Sequence, residues 1–310
     1  MADVSLYWFR DDLRLSDLLG LTAAAQAGQV IPVFVRDPHL GDAWRIGSAS
    51  QWWLHQSLLS LGASLAEQGL ELLLRSGETV TALTAIAAQT GASTVYCSRH
   101  YQPWSVELET ALYENLSDKG VILKRYSGTL LHEPEDVATG GGTPFKVFTP
   151  FWRACNRRPD PHQPVPISEL TPYNGLIESE ELSDWGLLPT SPNWAFGWND
   201  LWRPGEAGAQ AALHQFLDHH VQDYGDGRDI PAEPNTSKLS PYLRFGNISP
   251  RQVWHAAQAS KLERPEAAGA IDKFLSEIGW REFCYHLLFH FPTMPDEAFN
   301  PKFSRSEEHT

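Results

Sequence analysis

The amino-acid sequence predicts an α/β domain with a doubly wound, parallel five-stranded sheet, followed by an all-helical domain. Short apolar runs alternate with helical stretches over the first 130 residues, whereas helical patterns without strands dominate after Pro204. Such alternation is typical of βαβ units, whose parallel strands are covered by helices on both faces. With 42% hydrophobic and 20% charged residues, the composition is that of a folding protein.

The elements of the Rossmann-like first domain follow from β-rich apolar runs and from the helical stretches between them. Serines at the start of the second helix are expected to cap it. The predicted strands cover residues 4–9, 30–35, 71–74, 94–98 and 121–126, and the predicted helices cover 17–27, 48–68, 78–90 and 107–119.

Ligands of doubly wound sheets bind at the carboxyl ends of the strands. The segments 8–10, 35–37 and 99–102 are therefore candidates to line a crevice, with solvated loops as the alternative. No GxGxxG follows the first strand and no GxxxxGK[ST] occurs, so a dinucleotide site of the usual kind and a P-loop are disfavoured.

The rest of the chain divides into a connector and a helical part. Residues 131–203 contain many prolines and acidic side chains, which predicts an interdomain connector that wraps the surface of one domain. Residues 204–303 are expected to be helical, with long helices over 205–223 and 271–291. Two serine–proline pairs predict an N-cap followed by a proline at the first helical position: Ser240-Pro241 and Ser249-Pro250.

The charge is uneven along an acidic chain. Lys and Arg total 24 against 38 Asp and Glu, a formal charge of −14 that argues against a protein that grips nucleic acid over its whole surface. Residues 155–223 contain three basic and ten acidic side chains, whereas residues 224–290 contain eight of each. An anionic partner would therefore be repelled least by the segment 224–290.

Several classes of protein are disfavoured by what the sequence lacks. No HExxH, GxSxG or CxxC occurs, so neither a metal site nor a serine hydrolase is expected. Three widely separated cysteines suit a reducing cytoplasm, and no apolar run approaches the roughly 18 residues of a membrane span.

A first cluster of interest joins Tyr224 and Arg228 to the segment 236–240. Hydroxyls and a lysine gather there just before a predicted helix, where free amide groups and the helix dipole favour a phosphate or pyrophosphate. An ordinary serine–proline helix start is the alternative.

A second cluster lies on the predicted helix 271–291. Glu277 and Trp280 are three residues apart and so share a helix face, where an indole and a carboxylate could recognise a flat heterocycle by stacking and hydrogen bonding. The alternative is an intrahelical ion pair between Glu277 and Arg281 beside a core tryptophan.

At these residues the chain resembles the DNA photolyase and cryptochrome family, and most closely the class I cyclobutane-dimer photolyases. The resemblance runs from the first strand to about Phe303. It rests on these motifs: Trp8-Phe-Arg-Asp-Asp-Leu-Arg-Leu15, Lys146-Val-Phe-Thr-Pro-Phe-Trp-Arg153, Trp202-Arg-Pro-Gly-Glu206, Thr236-Ser-Lys-Leu-Ser-Pro-Tyr-Leu-Arg-Phe-Gly246, Ile248-Ser-Pro-Arg251 and Trp280-Arg-Glu-Phe283.

The resemblance implies a function and a set of site residues. It implies light-dependent repair of cyclobutane pyrimidine dimers in UV-damaged DNA by electron transfer from excited, reduced FAD. Arg228 would contact DNA, and Glu277, Trp280 and Arg281 would line the pocket for the flipped-out dimer. The residues that would contact FAD are Tyr224, Thr236, Ser237, Lys238, Leu239, Ser240 and Phe274.

The chain departs from the family pattern in three places. Asp17-Leu18 replaces the usual Asp-Asn, and Val106-Glu107 replaces an Asn-Glu pair at the folate antenna site. Glu107 is thus a weak antenna candidate, and methenyltetrahydrofolate, 8-hydroxy-5-deazaflavin or no antenna stay open. Family members also continue further, with their electron-transfer residues beyond this chain. We therefore expect a truncated chain that binds FAD poorly and lacks activity, with a non-native tail at 304–310.

Two related functions remain as alternatives. A cryptochrome-type blue-light photoreceptor would keep FAD without repairing DNA, and a (6-4) photolyase would need histidines that the family places beyond this chain. A monomer without a metal is expected in each case.

Overall fold

The computed structural model describes residues 3–38 and 45–303 and contains the predicted parallel sheet. The sheet order is β3-β2-β1-β4-β5, and every neighbouring pair is parallel. The five strands are β1 (Asp3–Phe9), β2 (Gly28–Arg36), β3 (Leu73–Ser76), β4 (Thr94–Ser98) and β5 (Ile122–Tyr126). The predicted fold class is confirmed. A two-residue strand from the connector, β6 (Thr171–Pro172), also pairs with β2.

Helices cover both faces of the sheet because successive side chains of a buried strand point to opposite sides. Leu6 and Trp8 of β1 pack into one apolar cluster with leucines of α3 and α4, while Tyr7 and Phe9 pack into the other with those of α1 and α2. These helices are α1 (Leu19–Ala27), α2 (Ser48–Ala66), α3 (Thr79–Thr90) and α4 (Pro103–Ser117).

The structure corrects several predicted helix starts. Gly47 is the N-cap of α2, and no serine side chain caps that helix. α4 begins four residues before its predicted start, at Pro103. Proline is favoured in the first turn of a helix because the backbone N–H that it lacks would have no intrahelical partner there. α1 begins at Leu19 rather than at Asp17, whose φ of 54° lies in the left-handed region.

The helical domain contains the predicted long helices and several short ones. Ser249 caps α10 in a capping box with Gln252, as its sequence predicts. Ser240 is instead the first residue of α9, and Leu239 is its N-cap, so that prediction is wrong by one position. Its helices are α7 (Glu206–His219), α8 (Tyr224–Gly227), α9 (Ser240–Arg244), α10 (Pro250–Glu263) and α11 (Ala268–His290). The predicted connector contains two more helices, α5 (Phe148–Cys155) and α6 (Trp198–Leu201).

The connector contacts the α/β domain at several points. Beside β3, the Ser179 hydroxyl accepts a hydrogen bond from Leu74 N at 3.0 Å, and Glu180 N donates to Leu74 O at 3.0 Å. The domain boundaries 1–130, 131–203 and 204–303 stay predictions, and the expected tail at 304–310 lies outside the described residues.

A fully buried carboxylate, Asp17, joins the two domains. Its oxygens accept hydrogen bonds from Arg251 Nε at 3.0 Å and from the Ser249 hydroxyl, and Arg251 Nη2 lies 3.0 Å from Oδ1. Val165 N of the connector donates to the same carboxylate at 3.2 Å. Three parts of the chain thus meet at one buried charge.

Replacement of Asp17 should destabilise the whole chain. Asp17→Asn keeps a residue type that tolerates a positive φ but leaves Arg251 without its counter-charge, so the free energy of unfolding should fall by about 3–5 kcal/mol. Denaturant titration measures this.

The matched control is Asp11→Asn. Asp11 also forms an interdomain ion pair, with Arg244 at 2.7 Å, but both side chains are partly exposed. Its loss should lower the free energy of unfolding by less than about 1 kcal/mol. Equal losses in the two variants would show that burial of Asp17 does not set its contribution.

Candidate functional site

The structure brings four of the predicted site residues together. Tyr224 of α8 is buried, with its ring centroid 5.7 Å from that of Phe274 in α11. The Arg228 guanidinium lies 5.5 Å from the Tyr224 ring centroid and forms an ion pair with Glu277, also in α11. α8 therefore places the Tyr224 ring beside α11, and the residue after α8 places the Arg228 guanidinium there.

Glu277 has a different partner from the one considered in the sequence. It pairs with Arg228 and lies 3.8 Å from Lys273 Nζ, while the predicted intrahelical pair with Arg281 does not form. The bond between Arg228 and Glu277 joins two charged groups, a kind of hydrogen bond stronger than a neutral one. It fixes the carboxylate one helical turn before Trp280.

Asn235, the residue before the segment 236–240, packs closely against Gly227 of α8. A Cβ at Gly227 would collide with the side chain of Asn235, so only glycine allows the two to pack. Leu239 is buried and anchors the segment, while Ser237 Oγ accepts a weak hydrogen bond from Leu239 N at 3.4 Å.

The remaining side chains of this segment face solvent. Thr236, Lys238 and Ser240 are exposed, and within residues 3–38 and 45–303 their side chains form no hydrogen bond or ion pair. They are free to donate to an anion at the start of α9, as a phosphate requires.

Trp280 and Arg281, although adjacent, point to different surroundings. Trp280 is 45% exposed, and one face of its indole is stacked on Phe148 with a centroid distance of 3.9 Å. A core position for Trp280 is therefore wrong. Arg281 Nη1 donates to Thr129 O at 2.8 Å, and Arg281 pairs with Glu282 at 3.2 Å. Arg281 thus lies against the end of the α/β domain, away from Glu277.

Glu282 lies within the motif Trp280-Arg-Glu-Phe283, but its position in the sequence does not predict that its carboxylate is buried. Its carboxylate is buried and accepts a hydrogen bond from Leu131 N at 2.7 Å. Burial raises the pKa of Glu282 to about 7, against the opposing effects of Arg281 and of two backbone N–H groups. Its contacts are structural, because they join α11 to the first residues of the connector.

The carboxyl ends of the strands form the crevice that the sequence predicts. It has a volume of about 310 Å³, and its lining includes Trp8, Arg10, Val35, Arg36, Asp37 and His100 from the α/β domain and Arg244 and Phe245 from the helical domain. Of the third predicted segment, only His100 lines it. Arg99 and Tyr101 instead bind Glu133, at 2.7 and 2.8 Å.

Unpartnered polar atoms lie in the wall of this crevice. In the described part of the chain, Trp8 Nε1, Arg10 Nε and both ring nitrogens of His100 are buried without a hydrogen-bond partner. Burial, helped by Arg10 and Arg244, lowers the pKa of His100 well below its usual value, so its ring is neutral. Buried polar groups normally have partners, so these atoms are exceptions among the residues that line the crevice.

Glu107, the weak antenna candidate, is exposed on α4 and does not line the crevice. The neighbouring Val106 is 40% exposed and has no polar side-chain atom to offer. The exposed helix surface around Glu107 is therefore a poorer ligand site than the crevice.

Among the described residues, no cluster of three His, Cys, Asp or Glu side chains is placed to hold a metal ion. No helix in that part of the chain combines the length and apolar character of a membrane span. The three cysteines are all unpaired.

Comparison with known proteins identifies the family. Residues 5–169 match the sequence profile described as DNA photolyase. The chain belongs to the DNA photolyase family. A deoxyribodipyrimidine photo-lyase of Agrobacterium fabrum is 46% identical over 96% of the chain and 62% of its own length. Cryptochrome-2 of Arabidopsis thaliana is 32% identical over 96% of the chain and 50% of its own length.

A solved photolyase structure has the same fold. A class III photolyase from Agrobacterium tumefaciens superposes with a TM-score of 0.93 at 45% identity, over 98% of the chain and 63% of its own. This neighbour is of class III, whereas the motifs were most similar to class I. The chain thus spans slightly less than two thirds of the length of these two photolyases.

The raised pKa of Glu282 predicts a pH dependence of stability. Between pH 4.5 and 7 the folded protein holds a proton that the unfolded chain has released. The stabilisation is complete below pH 4.5 and is lost as the pH rises through 7. Glu282→Gln removes this titration. The decrease in the free energy of unfolding between pH 4.5 and 7 should therefore be about 2–3 kcal/mol smaller in the variant than in the unmodified protein. Denaturant titrations over this pH range test it, and equal slopes for both proteins would refute it.

Proposed function

We propose that this chain holds FAD and UV-damaged DNA and that it serves the light-dependent repair of cyclobutane pyrimidine dimers. The observation that carries the proposal is the half-exposed indole of Trp280 one helical turn from Glu277, whose carboxylate is held by Arg228. This places a flat stacking surface and a hydrogen-bonding group on one helix. The similarity to a class III photolyase supports class III as the subclass.

The residues present fit FAD. The exposed Thr236, Lys238 and Ser240 offer donors to a pyrophosphate, and Ser237 and Leu239 hold the backbone of the same segment. Tyr224 and Phe274 pack against each other and are 7% and 2% exposed, so in this structure they present little surface to a flavin. When bound, reduced FAD supplies the light-excited electron donor that the repair reaction requires. The protein binds and orients the two partners.

The DNA-binding assignments divide by chemistry. Arg228 is suited to a phosphate, Trp280 to stacking on an extruded pyrimidine and Glu277 to a pyrimidine edge. Arg281 is the weakest candidate of the four for a DNA contact, because its guanidinium is already bound to Thr129 O and to Glu282. The neutral charge of residues 224–290 allows DNA to approach a chain that is otherwise acidic.

We place an antenna chromophore in the crevice at the carboxyl ends of the strands rather than at Glu107. The crevice is lined by the aromatic ring of Trp8 and by the arginines Arg10, Arg36 and Arg244. Such groups suit a planar, acidic molecule, a description that covers both methenyltetrahydrofolate and 8-hydroxy-5-deazaflavin. A monomeric, cytoplasmic protein stays a prediction from the sequence.

A photoreceptor of the cryptochrome type is the second candidate, because the chain is also 32% identical to a plant cryptochrome. The exposed face of Trp280 favours repair over signalling, since signalling requires no surface for a pyrimidine. A (6-4) photolyase is the third candidate.

Illumination should distinguish these functions. Because the chain spans only 62% of the length of the Agrobacterium fabrum photo-lyase, the test uses the protein extended to that length. Loaded with flavin, it should remove cyclobutane dimers from DNA under blue light and not in the dark, and an occupied antenna should add a band to the action spectrum. Dimers and (6-4) lesions counted before and after illumination measure the repair. Repair of neither lesion favours the photoreceptor, repair of (6-4) lesions alone favours the third candidate, and a flavin-only action spectrum contradicts the antenna.

Trp280→Ala should weaken binding of dimer-containing DNA by about 1–3 kcal/mol, the usual scale of base–aromatic stacking. Undamaged duplex should be unaffected, because its bases stay stacked and never meet the indole. Titrations of both duplexes in the dark measure the two affinities, and a denaturant melt checks the fold. If the variant is less stable but its ratio of affinities for dimer-containing and undamaged duplex is unchanged, Trp280 is not part of the substrate site.

Arg228→Ala is the matched comparison for Trp280→Ala. A phosphate contact carries no information about the lesion, so this variant should weaken binding to both duplexes alike. The slope of log affinity against log salt should decrease by about one. Loss of dimer preference at unchanged affinity for undamaged DNA would contradict a phosphate contact at Arg228.

A further inference from the structure

Three aromatic rings from two helices lie in a nearly parallel stack at the candidate DNA site. The Trp280 indole of α11 stacks on Phe148 of α5 with an interplanar angle of 10° and a centroid distance of 3.9 Å. Phe148 is also nearly parallel to Trp152 of the same helix, at 12° with a centroid distance of 6.4 Å. Trp280 is therefore the most exposed of three nearly parallel rings that α5 and α11 contribute.

The close approach of the two helices depends on Gly279. A Cβ on this residue would lie 2.6 Å from the Trp152 ring, a distance that real Cβ atoms do not adopt. Glycine in a helix interior weakens the helix relative to alanine. Here it permits the Trp152 ring to lie directly on the backbone of α11, beside the residue that carries the indole.

The stack fixes the orientation of a side chain that would otherwise be free. Phe148 covers one face of the indole, and the Phe283 ring lies edge-on at 5.9 Å. Despite these contacts, Trp280 remains 45% exposed. An exposed side chain that must adopt one rotamer on binding loses conformational entropy, and a rotamer already held in the free protein avoids that loss.

We propose that Phe148 is a positioning residue for Trp280. It holds the plane of the indole so that the outer face is ready to stack on a flipped-out pyrimidine. The proposal rests on the proposed function, because it assumes that Trp280 receives a base. It assigns a role in substrate recognition to α5, which comes from the part of the chain before the predicted helical domain.

General packing of α5 is carried by other side chains. Phe151 is buried, 5.2 Å from the Phe283 ring centroid, and forms a small apolar cluster with Val137, Cys155 and Phe283. Phe148 is only half-buried and lies at the edge of that cluster. The contact between Phe148 and Trp280 can therefore be removed while the cluster that attaches α5 to α11 is kept.

Phe148→Leu tests the proposal in the flavin-loaded protein. Affinity for dimer-containing DNA in the dark should fall about 3- to 10-fold, the range that corresponds to one aromatic pair, with undamaged duplex unchanged. Phe148→Tyr keeps the ring and should restore the preference for the dimer. The same loss in the leucine and tyrosine variants would overturn the proposal.

Phe151→Leu is the matched control from the same helix. It removes a ring that contacts Phe283 and not Trp280, so it should lower the midpoint of denaturation and leave the ratio of the two affinities unchanged. If Phe148→Leu does not fold, Phe148→Met is the second variant, because it keeps much of the side-chain volume and removes the flat ring that lies on Trp280. It should lower the same ratio, and an unchanged ratio would overturn the proposal.

A double-mutant cycle separates this proposal from the proposed function. In a Trp280→Ala background, Phe148→Leu should cause no further loss of dimer preference, since the ring that it positions is absent. If Trp280→Ala alone leaves the preference intact, the proposed function of the site fails. If Trp280→Ala lowers the preference and Phe148→Leu does not, the site stands and the positioning role fails.

Discussion

The buried ion pair between Asp17 and Arg251 sets how the two domains sit against each other, and the placement of both candidate ligand sites depends on it. Asp17 follows the turn after β1, and Arg251 lies in the first turn of α10. Between these anchors, Leu13 N donates to Phe245 O at 3.1 Å. Gly246 lies so close to the backbone of Asp11 that any Cβ would collide with it. The turn after β1 is thus packed against the segment from α9 to α10.

The two candidate ligand sites lie at opposite ends of one short helix as a result. The exposed donors proposed for FAD lie before α9 and at its first residue, while Arg244 at its end and the following Phe245 line the crevice. Five helical residues span about 7 Å. A chromophore in the crevice would therefore lie near the flavin segment, on the same rigid contact that joins the domains. Under the proposed function, the interdomain contact would thus also set the distance between the two chromophores.

The sequence predicted what depends on local pattern and missed what depends on distant contacts. The strands and long helices follow from hydrophobic periodicity, and the crevice follows from the general rule for parallel sheets. Glu282 binds Leu131, 151 positions away, and Phe148 meets Trp280 from another helix. No periodicity reports such contacts. Asp17 is noticeable in the sequence only because Leu18 replaces the usual asparagine after it. Nothing in the sequence predicts that the Asp17 carboxylate joins three segments.

The pairing of Arg228 with Glu277 has a consequence for recognition under the proposed function. Each of the two groups is assigned a separate partner on DNA, yet in the free protein each is the partner of the other. A phosphate that takes the guanidinium releases the carboxylate, and a pyrimidine edge then replaces the lost hydrogen bond. On undamaged duplex no base reaches Glu277, but Lys273 Nζ, 3.8 Å away, stays beside the carboxylate as a second cation. Loss of the ion pair is therefore compensated on both duplexes, and the lesion preference comes from the stacking surface of Trp280.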